Sequence, residues 1–69
     1  MPIQHNKNFG VYHWDTFDNE TLLVGEANTL NEAEEIVQKK YKGRISGQGA
    51  DQVDIVDKKG SIVAKFHVM

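Results

Sequence analysis

The chain predicts an α+β fold: a single open, largely antiparallel four-stranded sheet with one helix on one face, in the order strand–strand–helix–strand–strand. Three observations predict it. A capped segment with an apolar stripe at helical spacing runs from Thr29 to Tyr41. Two short stretches rich in aromatic and β-branched residues precede it, and two follow. The last stretch alternates apolar and polar side chains, as a strand with one buried face does.

Residues 1–8 are polar and are expected to form a disordered N-terminal segment, leaving 9–69 as one ββαββ domain. Phe9-Gly10-Val11-Tyr12-His13-Trp14 reads as the first strand. Asp15-Thr16-Phe17-Asp18-Asn19 has the Asp and Asn content of a turn. The segment from Thr21 to Glu26 reads as the second strand, closing an N-terminal hairpin.

The helix carries the densest set of signals. Thr29-Leu30-Asn31-Glu32 is a capping box, in which the Thr29 hydroxyl accepts from the Glu32 N–H and the Glu32 carboxylate reaches back to Thr29. Leu30, Ala33, Ile36, Val37 and Tyr41 then form one stripe at period 3.6. Acidic residues open the helix and Lys39, Lys40 and Lys42 close it, complementing the macrodipole at both ends. Gly43 is placed as the C-terminal stop. Residues 44–50 contain Gly47 and Gly49 and read as a loop. Val53 to Val56 is the third strand, Asp57-Lys58-Lys59-Gly60 a turn needing positive φ at its glycine, and Ser61 to Val68 the fourth strand.

Alternation assigns faces. Ile62, Ala64, Phe66 and Val68 are expected under the helix, with Val63, Lys65 and His67 opposite. Phe66 and Ile36 are expected to be buried together. In the first hairpin Phe9, Val11, Leu22 and Val24 are assigned to the helix side. The uncovered face then holds Tyr12, Trp14, Leu23, Val56 and Val63, more apolar surface than one helix explains. Three readings compete for it: packing of two such faces in a homodimer, docking of a partner protein or stacking of nucleobases, and coverage by the chain's own loops and termini.

Size favours association. With 69 residues and no cysteine, the chain has a small core and no disulfide or thiolate zinc site to reinforce it. Such a core rarely supplies more than about 3–5 kcal/mol. The N-terminus has no apolar run, so no signal peptide is expected. The longest apolar runs are three residues, far below the ~20 of a membrane span. The lack of cysteine fits a reducing cytoplasm.

Charge is unevenly distributed. Residues 1–35 carry one basic side chain against seven acidic ones, and residues 36–69 carry seven basic against three acidic. Lys39, Lys40, Lys42, Arg44, Lys58 and Lys59 are therefore candidates for an anion-binding surface, and a nucleic-acid-binding accessory domain is the alternative function. A solvated helix end and hairpin tip explain the same residues, and no RNP-like segment, zinc spacing or helix-turn-helix is present.

Catalysis has few candidates. His5, His13 and His67 are the available bases, and His13 and His67 would approach one another if the first and fourth strands paired. No H-x-x-x-H, G-x-S-x-G or phosphate-loop spacing occurs. No enzyme activity, catalytic residue, cofactor or metal is expected.

From Phe9 onward the chain resembles short bacterial domains of unknown function with a strand–strand–helix–hairpin layout. The resemblance is carried by Leu30-Asn31-Glu32-Ala33 at the helix start, and by Ala50-Asp51-Gln52-Val53-Asp54-Ile55-Val56-Asp57 leading through Gly60-Ser61-Ile62. It implies the fold and assigns no chemistry. The expected function is a small interaction module, self-associating or bound to a protein partner through the uncovered face, with Tyr12, Trp14, Leu23 and Val63 at its centre.

Overall fold

The computed structural model describes residues 5–16 and 18–69. Strands β1 (Phe9–Asp15) and β2 (Glu20–Ala27) precede helix α1 (Leu30–Lys40), and strands β3 (Asp51–Asp57) and β4 (Ile62–Val68) follow it. They form one four-stranded sheet in the order β2-β1-β3-β4. Every neighbouring pair is antiparallel. This is the expected ββαββ layout. Helix α1 packs on β1, β2 and β3, which leaves β4 beyond its span.

The helix begins as its sequence requires. Thr29 is extended, and its hydroxyl accepts the Glu32 N–H at 3.1 Å. The returning arm differs from expectation. Glu32 Oε1 accepts from the backbone N–H of Asn28, one residue upstream of the cap. Tyr41 closes the helix, donating its backbone N–H to the Val37 carbonyl. Beyond it Gly43 takes φ 77°, and in the β3–β4 turn Gly60 takes φ 88°, both values that L side chains rarely adopt. Asp57 organises that turn: its Oδ1 accepts from the N–H groups of Lys59 and Ser61, each at 2.9 Å.

Two bulges decide which side chains face the helix. β1 pairs with β3 without interruption, so Phe9, Val11 and His13 lie on the helix side with Val53 and Ile55. Between Val11 and Tyr12 the β1–β2 register slips, because Val24 is an extra residue in β2. The slip carries Leu23 opposite Tyr12 and Leu22 opposite His13. A second slip, at Val63, places Ile62 opposite Val56. Ile62 therefore joins the face away from the helix, against the alternation that assigned it inward. Ala64, Phe66 and Val68 keep their expected side.

The core is Val11, Ala27, Ala33, Val37, Tyr41, Val53, Ile55 and Val68, with Phe9, Val24, Ile36, Ala64 and Phe66 packed at its margin. Phe66 and Ile36 are not buried together. Ile36 lies over Gly25 of β2, where an added Cβ would sit 2.9 Å from its Cγ2. Phe66 is on β4, at the opposite edge of the sheet with two strands between. The strand order separates residues that a shared face could not. Leu22, on the helix side of β2, is 52% exposed because no helical residue covers it.

The free edge of β4 is partly closed by the chain that follows the helix. Ile45 bridges to Val68, the Ser46 N–H donates to the His67 carbonyl, and the Met69 N–H donates to the Arg44 carbonyl.

Two stability outcomes follow. Thr29→Ala is expected to cost about 0.5–2 kcal/mol through loss of the cap, read by chemical denaturation. Ile55→Ala, at a fully buried position under the helix, is expected to cost about 2–5 kcal/mol. Phe66→Ala, at a half-buried one, is expected to cost less than Ile55→Ala; the reverse order would place the core centre under β4.

Candidate interaction surface

The face away from the helix follows from the register. Read across the four strands, it runs Thr21–Trp14–Gln52–His67 at one end, Leu23–Tyr12–Asp54–Lys65 in the middle and Glu26–Gly10–Val56–Ile62 at the other. Its centre is polar. Asp54 stands opposite Lys65, and the Gln52 amide donates to Asp54 Oδ1 at 2.7 Å. Apolar exposure is therefore split into two corners. Trp14, 42% exposed, lies diagonally across from Leu23 at one corner. Ile62, Val63 and the half-buried Val56 lie at the other.

Tyr12, expected at the centre of an open surface, is buried, with 6% of its surface exposed. The His5 ring packs edge-on against it and hydrogen-bonds its hydroxyl through Nδ1 at 2.9 Å. Gly10 makes this possible: a Cβ there would sit 2.5 Å from His5 Nδ1. An isolated glycine inside a strand marks a close approach of this kind, and that is the signal the sequence contained. Burial, with the Glu26 carboxylate nearby, raises the Tyr12 hydroxyl pKa above its ordinary value. Glu26 in turn accepts from the backbone N–H groups of Asn6 and Lys7, which lower its pKa. The Asn8 amide donates to the Asn28 carbonyl. Residues 5–8 are thus tied across the sheet at its β2 side; residues 1–4, the rest of the segment expected to be disordered, lie outside the described residues.

The histidines are separated rather than clustered. β3 lies between β1 and β4, and His13 and His67 project from opposite faces. His13 instead joins three elements. Its Nδ1 is 2.7 Å from the Tyr41 hydroxyl and its Nε2 is 3.1 Å from Asp51 Oδ2. Asp51 Oδ1 also accepts from the Thr16 N–H and hydroxyl. With the ring proton on Nε2, His13 donates to Asp51 and accepts from Tyr41, satisfying all three groups. The His13 hydrogen bond, followed by that from the Thr16 N–H, holds the Asp51 carboxyl below its usual range. Burial raises the Tyr41 hydroxyl, with the adjacent Arg44 opposing it. Among the described residues no group of three or more His, Asp or Glu is arranged to hold a metal ion.

The basic candidates divide into two sets. Lys39, Lys40, Lys42 and Arg44 lie at the helix end beside Tyr41, whereas Lys58 and Lys59 lie at the β3–β4 turn, next to Asn8 and Phe9. The length of β3 separates them, on the order of 20 Å. Lys39 lines a shallow depression with Lys7, Glu26, Glu32, Glu35 and Ile36, so three carboxylates accompany it. Arg44 is engaged, its Nε donating to the Met69 carbonyl and its guanidinium lying 5.3 Å above the Tyr41 ring.

No protein-family model matches the chain, and neither a curated protein nor a solved structure matches it significantly. Among the described residues no helix is long and apolar enough to cross a membrane.

The Asp51 carboxylate links stability to pH. Because its folded-state pKa is lowered, it contributes stability above the ordinary aspartate value of about 3.9 that is lost as pH falls through the lower value. Thermal unfolding of the wild type is expected to fall more steeply with acidification below about pH 4 than that of Asp51→Asn. Parallel profiles would show that the His13 and Thr16 bonds do not distinguish the ionised form.

Proposed function

We propose that this chain is a small, non-catalytic interaction module that self-associates, with the Trp14–Leu23 corner of the uncovered sheet face at the contact. The carrying observation is the 42% exposure of Trp14 beside Leu23, in a chain with no disulfide to reinforce a small core. Large aromatic side chains dominate binding when desolvated, and this is the only tryptophan in the sequence. The other corner, around Val56, Ile62 and Val63, is built of β-branched side chains and holds no aromatic ring.

The histidine chemistry supports a structural part for His13. Both of its ring nitrogens are engaged within the fold, so neither is presented to a substrate. The nucleic-acid alternative draws on the same six basic side chains, but they form two separate patches, each accompanied by carboxylates. Phosphate binding gains from charges gathered along one track.

Light scattering over a concentration series is expected to show a dimer whose dissociation is nearly insensitive to salt, as an apolar contact requires. Trp14→Glu combined with Leu23→Lys is expected to leave a folded monomer, with far-ultraviolet dichroism retained. A wild type that is monomeric at every concentration, or a double variant that stays associated, would overturn the reading.

A further inference from the structure

Resting on self-association at that corner, a more specific arrangement follows from the two edges of the sheet. The edge of β4 is partly occupied by residues 44–46, through the Ile45–Val68 bridge and the Ser46 and Met69 backbone bonds. At the other edge, β2 is the terminal strand. Its second half is bulged at Val24 and flanked by the 5–8 segment bound to Glu26. Its first half, from Glu20 to Leu23, is regular and exposes apolar side chains on both faces: Leu22 on the helix side, Leu23 and its neighbour Trp14 on the other.

Stacking two outer faces would leave Leu22 in water, since it belongs to the opposite side of the sheet. It would also bring Asp54, Lys65 and Gln52, the polar centre of that face, out of solvent, at a desolvation cost that Trp14 and Leu23 do not offset. Pairing along the edge covers both sides at once. We propose that two copies join their β2 strands antiparallel about a two-fold axis perpendicular to the sheet, giving one continuous eight-stranded sheet.

Face matching and side-chain polarity select the register. Opposed residues must share a face, so the axis passes beside Thr21, Leu22 or Leu23. Centred on Leu23, the pairing runs through the bulge, beyond which the faces no longer match: Glu20, on the helix side, would meet Glu26 of the second copy, which is on the outer face. Centred on Thr21, it sets Leu22 against Glu20 of the second copy. Centred on Leu22, it sets Leu22 against Leu22 of the second copy, Thr21 against Leu23 and Glu20 against Val24. No like charges then face each other. Thr21 is small, so the indole of Trp14, on the adjacent strand, reaches across it toward Leu23 of the second copy.

The chain has no cysteine, so single-cysteine variants test this directly. Leu22→Cys places its two Cα atoms about 4.5–5.5 Å apart in the proposed register, inside the range a disulfide spans. Under mild oxidation it is expected to form covalent dimer at least about tenfold faster than Lys58→Cys, a control at the distant turn. Val63→Cys, on the outer face, is expected to match the control. Leu22→Lys, at a half-exposed position, is expected to give a folded monomer. Rapid coupling of Val63→Cys without Leu22→Cys in a chain that is a dimer by mass would overturn edge pairing and leave self-association standing. A dimeric Leu22→Lys variant would do the same. A wild type that stays monomeric, with Leu22→Cys no faster than the control, would remove both.

Discussion

One helix of eleven residues has to serve four strands, and most of the structure answers that mismatch. Because β1 is central, α1 buries Val11 and Ile55 beneath Val37 and Ala33 and reaches β2 only at its C-terminal half. Everything outside that footprint needs another partner. β4 is held through its ladder with β3, through Val68 in the core, and through the strip of chain after the helix that bridges to its edge. Among the described residues the first half of β2 receives no such cover, and Leu22 is exposed.

Polar ties complete what the apolar core leaves open. His13 connects the middle of the sheet to the end of the helix through Tyr41, and to the start of β3 and the first turn through Asp51 and Thr16. These contacts join segments far apart in sequence, where each closed loop costs chain entropy that the bond must offset. At the other end of the sheet, Glu26 gathers two backbone N–H groups and the His5 ring shields Tyr12. Most of the aromatic surface on the second face is thus turned into interior, and Trp14 is what remains.

That division narrows the functional reading. A face with Asp54, Lys65 and Gln52 at its centre has a polar middle, so the apolar surplus is local to its two corners and to the β2 edge. The acidic hairpin and the basic second half of the sequence do not become two opposed faces. The antiparallel return of the chain distributes the lysines to both ends of the sheet, beside carboxylates at each.

The local elements were legible in the residues. Thr29, Glu32, the stripe through Ala33 and Val37, Gly43, the Asp57–Gly60 turn and the outward Lys65 and His67 act within a few positions of one another, and short-range stereochemistry determines them. Strand order was not written there, because ladders of either order satisfy the same alternation; it was the fold that parted Ile36 from Phe66 and His13 from His67. The bulges at Val24 and Val63 were also silent, since an extra residue in a strand changes the face of Ile62 without changing any local propensity. Tyr12 was misassigned for a related reason: its exposure depends on residues 5–8 crossing above Gly10, a long-range packing event that the glycine permits and only the assembled sheet brings about.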